Sequence, residues 1–398
     1  MVSPIEKVWA LIRLLAVSNY RSLKETRLPL GRLNLITGAN GSGKSNLYKA
    51  LRLLSDTALG TATSSIAAEG GLDSVLWAGP ETLSRGMKKG QVPVQGGPRQ
   101  KPIQLQLGFV RDDFSYAIDF GLPEPVPRTM FAKDPVIKRE AIWFGEHYHP
   151  SRVMVDRRGP VVRARQESGA WQVIEHHLHS FDSMLMRLAD PRMAPEALHL
   201  RESIRSWRFY DHFRTDRLSP VREPHVATRT PVLSHDGSDF AAAWQTINEI
   251  GDELALAEAV DDAFPGAVVT VEESRGRFAL LFHQPGLLRP LNQAELSDGT
   301  LRYLLWIAAL LTPRPPELMV LNEPETSLHP DLLPPLARLM ARCSESTQLW
   351  VTSHAPGLIR PLQDEPNCQH IRLSKEFSES RLQDYPDLDL PLWKWPGR

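Results

Sequence analysis

Cysteine is nearly absent: the 398 residues contain two, Cys343 and Cys368, in no metal-ligand spacing. That argues against a disulfide-stapled secreted scaffold and fits a reducing cytoplasm. Long apolar runs are missing too. The longest, Leu304–Leu311, falls far short of the roughly 20 residues a spanning helix needs, so no membrane partner is expected. Arg13 interrupts the stretch from Val8 to Val17, and no small-residue cleavage site follows. It reads as a buried first strand, not a signal peptide. Neither charge sign is in excess: 46 Lys and Arg against 47 Asp and Glu leave −1. Any nucleic-acid contact is therefore a local patch. No internal repeat occurs.

What is present is ordinary globular material, 42% apolar and 23% charged, long enough for two or three domains of about 150 residues. Ser45–Ser55 reads as a helix, with Leu47, Leu51 and Leu54 at helical spacing. The Gly- and Pro-rich stretch Ser84–Pro102 reads as a solvated loop. Beyond it the period becomes two, predicting short strands at Ile103–Phe109, Phe114–Phe120, Ala141–Phe144, Val153–Val155 and Trp171–Ile174. Helices are expected over Phe181–Leu188, Ala197–Arg208 and Phe240–Phe264, then strands Val268–Glu272 and Arg277–Phe282. A helix Ser297–Leu311, a buried strand Glu317–Asn322, a helix Pro330–Cys343 and a strand Gln348–Thr352 complete the pattern. Strand–helix–strand alternation at both ends points to one α/β nucleotide-binding domain built from the two ends.

The apolar strand Leu33–Thr37 runs into Gly38-Ala39-Asn40-Gly41-Ser42-Gly43-Lys44-Ser45. This is G-x-x-x-x-G-K-[ST] in its strand-then-helix context. The glycines let successive backbone N–H groups face a triphosphate, and the following helix adds its positive end. Lys44 is the mobile cation between outer phosphates, and the Ser45 hydroxyl is a ligand for Mg²⁺. ATP or GTP is the implied ligand.

A second apolar strand, Leu318–Leu321, ends in Asn322-Glu323-Pro324-Glu325. Glu323 is the candidate general base, and Asn322 stands where an aspartate usually reaches a magnesium-bound water. The amide still accepts a hydrogen bond there but brings no charge, which predicts weaker Mg²⁺ binding or slower turnover. Ser297 and Gly299 open a helix, offering a second anion site. The simplest geometry for it is a two-fold dimer in which this turn caps a phosphate bound to the partner. His354 follows the strand Leu349–Thr352 and is placed to bond the γ-phosphate.

Gly38–Ser45, Leu296–Thr300, Asn322–Pro330 and Thr352–His354 resemble the P-loop, signature motif, Walker B with D-loop, and H-loop of ABC-type ATPases. More narrowly, Val17-Ser18-Asn19-Tyr20-Arg21-Ser22 and Asn322-Glu323-Pro324-Glu325-Thr326-Ser327-Leu328-His329-Pro330 are similar to the RecF/SMC-like branch. That branch includes bacterial stand-alone AAA-family ATPases related to RecF and to the ATPase half of OLD proteins. The resemblance covers residues 9–55 and 290–360. It implies an ATP-sandwich homodimer with ATP and Mg²⁺, frequent coupling to DNA, and Arg21 near the bound phosphates. The expected architecture is an ABC-type P-loop NTPase head with an inserted antiparallel β lobe and a helical lobe. It divides into an N-terminal ATPase lobe 1–180, a helical insert 181–265 and a C-terminal ATPase lobe 266–398. Two departures stand out: Asn322 replaces the acidic residue, and no long heptad run supplies a coiled-coil arm.

Two outputs fit. In the first, the ATPase works on DNA in repair or phage defence; Arg152, Arg157, Arg158, Arg163, Arg165, Arg201, Arg205, Arg208, Arg214, Arg217 and Arg222, interleaved with Trp207, Phe209, Tyr210 and Phe213, are the candidate grip. A solvated face with core aromatics explains the same residues. In the second, a slow ATP-switched scaffold holds a separately encoded nuclease or toxin. Asp387-Leu388-Asp389 resembles part of a nuclease acidic pair but reads as a Pro-rich tail, with too few residues after His354 for that fold. Asp112-Asp113 and His176-His177-Leu178-His179 read as a turn and a surface cluster, not metal sites.

Overall fold

The computed structural model describes residues 10–82, 84–89, 91–92, 104–188, 190–386 and 389–397. Val8, most of the expected solvated loop (93–102), Ile103, Asp387 and Leu388 lie outside the described residues. Two compact units result, one of residues 1–30, 38–206 and 371–398, the other of residues 31–37 and 207–370. They do not follow the three sequence stretches 1–180, 181–265 and 266–398. The strand before the phosphate loop pairs with strands from the second half of the chain, so early residues belong to the later unit.

In the first unit, eight strands form one antiparallel sheet. Its order is Leu23–Pro29, Ile12–Tyr20, Leu105–Arg111, Phe114–Gly121, Val136–Phe144, Val153–Arg158, Val161–Arg165, Trp171–Glu175. The predicted meander is present. Its central strands, however, do not alternate between core and solvent: every residue of Leu105–Arg111 is buried. The Trp-rich segment near the C-terminus accounts for part of this cover. Trp393 and Trp395 pack against a cluster of Ala117, Ala141, Trp143 and Val153. Gly108 makes room for them, since a Cβ there would lie 2.7 Å from the Trp393 ring. Buried charges in this sheet are paired: Arg157 Nη1 donates to Glu140 Oε2 at 2.7 Å, both fully buried. Glu140 also accepts from Tyr116, Ser183 and the Met184 amide. The expected helix Phe181–Leu188 shrinks to Met184–Arg187, and that at Ala197–Arg208 runs Pro195–Ser206.

The second unit is built on parallel strands in the order Arg208–Tyr210, Leu318–Asn322, Gln348–Thr352, Leu33–Gly38. Strands buried on both faces read as continuous apolar runs, and Leu318–Leu321 and Gln348–Thr352 are wholly buried. The helix Asp298–Leu310 is buried from Leu301 to Leu310. Its Tyr303 and Trp306 anchor a core shared with Tyr210, Phe213, Trp244 and Phe282. An antiparallel sheet of His225–Val226, Arg277–His283 and Val268–Ser274 completes the unit. The expected helix Phe240–Phe264 is two helices, Phe240–Ile250 and Glu253–Ala263. Gly251 ends the first, and Asp252 caps the second by accepting from the Ala255 amide at 2.9 Å.

Candidate functional site

The phosphate loop lies in the first unit. The helix Lys44–Leu59 starts at Gly43, which is left-handed (φ 112°) and offers no side-chain cap. Its first N–H groups are therefore unclaimed by a side chain, as an anion site requires. Gly38 and Gly43 also admit no Cβ: at Gly38 it would come within 2.6 Å of Leu373 O and Ser42 Oγ, and at Gly43 it would strike Ser380. Ser42 Oγ is buried with no hydrogen-bond partner among the described residues. Lys44 folds back over its own loop, donating to Gly38 O at 2.6 Å and Ala39 O at 3.4 Å. Ala39, Asn40, Gly41 and Ser45 are exposed. An uncapped helix start, an orphaned hydroxyl and a folded-back lysine fit a polyphosphate.

Arg21, left-handed at φ 52°, does not point freely. Its guanidinium holds Glu69, which also pairs with Lys49 of the phosphate-loop helix at 3.1 Å. Burial opposes the charge on Glu69, but the bonds from Arg21 and Lys49 outweigh it and hold the carboxyl below its ordinary range.

The acidic strand end lies in the second unit. Asn322, Thr352 and Ile36 stand side by side in register, so the strand ends form one edge, from which the chain passes directly into Gly38. Asn322 Oδ1 accepts from Thr352 Oγ1 at 2.7 Å. Glu323 is left-handed (φ 49°), a conformation that side-chain-bearing residues hold only when their surroundings enforce it. Its amide donates to Thr352 O at 3.0 Å, while its side chain is 41% exposed. His354 Nδ1 lies 3.8 Å from Glu323 Oε1 and 3.4 Å from Glu325 Oε1.

Glu325 had no place among the sequence candidates, yet it organises this strand end. It is buried, and its Oε1 accepts from Ser353 Oγ at 2.7 Å and from the His354 and Ala355 amides at 2.9 and 3.3 Å. Its Oε2 has no partner among the described residues. The repeated acid in Glu323-Pro324-Glu325 was the available signal.

Ser297 caps the helix Asp298–Leu310: its Oγ accepts from the Thr300 amide at 3.1 Å, and the side chain stays exposed. One face of that helix clamps the Glu323 loop. A Cβ on Gly299 would sit 3.2 Å from Ser327 O, Arg302 donates to Thr326 O at 2.8 Å, and Trp306 Nε1 donates to Pro324 O at 3.1 Å. Behind the turn, buried Arg222 donates to Ala294 O, Leu296 O and Asp298 Oδ1 at 3.0, 2.8 and 2.6 Å.

Part of the expected nucleic-acid patch is engaged within the fold. Arg222 braces the turn at Ser297, and Arg157 is sealed against Glu140. Trp207, Phe209, Tyr210 and Phe213 are all buried, so none can stack on a base. Asp112 and Asp113 pair with Arg13 and Arg111. Among the described residues no group of three His, Cys, Asp or Glu side chains is arranged for a metal. Ser45 and Asn322, the ligands expected from the sequence, each carry an oxygen of the kind Mg²⁺ accepts. No helix among the described residues is long and apolar enough to cross a membrane.

Residues 166–360 match the family described as "AAA domain, putative AbiEii toxin, Type IV TA system", and residues 11–83 match "AAA ATPase domain". No curated protein matches the chain. Among solved structures, the chain is similar to an SMC head bound to the C-winged helix domain of ScpA, at 12% identity and TM-score 0.48, covering 93% of this chain and 97% of that one. It is also similar to the SMC head domain from Thermotoga maritima, at 14% identity and TM-score 0.43, covering 93% and 97%. A third is the Smc head with an extended coiled coil bound to the C-terminal domain of ScpA, derived from Pyrococcus furiosus, at 11% identity and TM-score 0.46, covering 94% and 96%.

Proposed function

We propose that this ABC-type, SMC-like ATPase binds ATP with Mg²⁺, closes as a homodimer around two nucleotides and reopens on hydrolysis, in the manner of RecF and the ATPase half of OLD proteins. The observation that carries the reading is the shared edge of Ile36, Thr352 and Asn322, with the phosphate loop continuing from the first strand and Glu323 from the last. Bound ATP with Mg²⁺ supplies the triphosphate and the charge that polarises it. The amides at the helix start and Lys44 hold the phosphates. Ser45 and Asn322 would hold the ion, Asn322 through an oxygen that already accepts from Thr352. Glu323 takes the proton of the attacking water, and His354, held by Glu325, faces the terminal phosphate. Ser297, exposed at the head of its helix, completes the partner's site.

A Glu323→Gln chain with ATP, followed by light scattering, tests this. A trapped dimer that is lost on Lys44→Ala or Ser297→Ala is expected; a monomer throughout removes the reading.

Of the two outputs, the scaffold holding a separately encoded toxin or nuclease gains from two observations. The aromatics meant to stack on DNA are buried, and the family description at 166–360 speaks of a toxin system. Co-purification with such an effector in the absence of DNA supports it. ATP-dependent, salt-sensitive DNA affinity instead supports DNA repair or phage defence through phosphate contacts alone.

A further inference from the structure

We propose that Ser380 is a positioning residue for the phosphate loop, setting from a distant hairpin the direction of an amide that binds phosphate. The proposal rests on the nucleotide reading of that loop. Ser380 lies on the hairpin of Cys368–Glu376 and Glu379–Leu382. Phe377 and Ser378 turn it with φ of 47° and 68°, the two left-handed residues a tight hairpin needs. Ser380 Oγ donates to Ser42 O at 2.6 Å. Its one proton is thereby committed, so Ser22 Oγ, 2.6 Å away, is the donor in that contact, and Asn46 Nδ2 donates to Ser22 Oγ at 2.7 Å. The result is a one-way chain from Asn46 through Ser22 and Ser380 to the Ser42 carbonyl. Ser22, Ser42 and Ser380 are all buried.

The chain ends on the peptide that matters. In a planar trans peptide the carbonyl and the following N–H point in opposite directions. Drawing Ser42 O inward onto Ser380 therefore turns the Gly43 N–H outward, toward the side on which the loop's amides receive an anion. Gly43 fits the same arrangement, because a Cβ there collides with Ser380.

The test uses the full chain and two probes, ADP and inorganic tripolyphosphate, in competition with a fluorescent nucleotide well below the melting temperature. Ser380→Ala should weaken both by about tenfold, the scale of one buried hydrogen bond, while melting cooperatively. Ser22→Ala, which removes the donor behind Ser380, should show a smaller loss in the same direction and decides the matter if Ser380→Ala fails to fold. In the wild-type chain, saturating tripolyphosphate should slow amide exchange across residues 379–382. Affinities unchanged within twofold, or unaltered exchange in the hairpin, overturn the proposal and leave nucleotide binding intact. A wild-type chain that binds neither probe overturns the nucleotide reading and the proposal with it.

Discussion

Glu325 Oε1 sits 2.9 Å from the His354 amide and 3.4 Å from its ring Nδ1, so one buried carboxylate holds the backbone of that residue and lies beside its imidazole. Glu325→Ala strands the Ser353 hydroxyl and two amides. It should lower ATP turnover by about tenfold or more, since a lost buried acceptor costs on the order of 1–3 kcal/mol. Nucleotide affinity through the phosphate loop should move less than threefold. Equal losses in turnover and affinity would speak against a positioning role.

Asn322 carries no charge, but its oxygen already accepts from Thr352, a bond a carboxylate can keep. Asn322→Asp should therefore fold normally and lower the Mg²⁺ concentration for half-maximal ATPase by roughly fivefold, the scale of one solvated charge contact of about 1 kcal/mol. A magnesium titration of the two chains decides this; identical curves refute it.

Arg222 is buried and feeds several carbonyls of the turn before Ser297. Arg222→Ala should cost more than about 2 kcal/mol in denaturant unfolding. Arg222→Lys should recover little, because an ammonium cannot reproduce the planar fork. Full recovery by lysine would show that charge alone matters.

Glu69, held below its ordinary range by Arg21 and Lys49, stabilises the fold above the unfolded carboxyl pKa of about 4.3. That contribution disappears as pH falls through the lower folded value. At pH 7, Glu69→Gln should be less stable by under about 1 kcal/mol, since the pair is partly exposed. The gap between the two melting curves should close on acidification; a gap constant with pH would exclude the pair as its source.

Burial pushes the Cys343 thiol up to about 12, and burial with the nearby Glu365 charge pushes Cys368 up to about 11. Thiolate is the reactive form, so neither should react with a thiol reagent at pH 8 until denaturant is added. Rapid labelling of the folded chain would contradict this.

Much of this was legible in the sequence. The strand Gln348–Thr352 and the meander followed from apolar periodicity, and the phosphate loop from glycine spacing, because local patterns encode local structure. The break at Gly251 was hidden because helical apolar spacing resumes beyond it, and Gly251 with the Asp252 cap fixes it. Arg222 and Arg157 looked like surface charges because their partners lie on other elements, Asp298 far along the chain and Glu140 on the neighbouring strand. Ser380 carries no motif at all; what gives it weight is one carbonyl, Ser42 O, contributed from the other end.

The strand Leu33–Gly38 pairs with Gln348–Thr352, and among the described residues no earlier strand takes that place in the sheet. A nascent chain emerging from the ribosome thus carries its nucleotide motif unsupported until Thr352 has been translated. Closing so wide a loop is slow, so the strand that leads into the phosphate loop waits without its sheet neighbour for most of that interval.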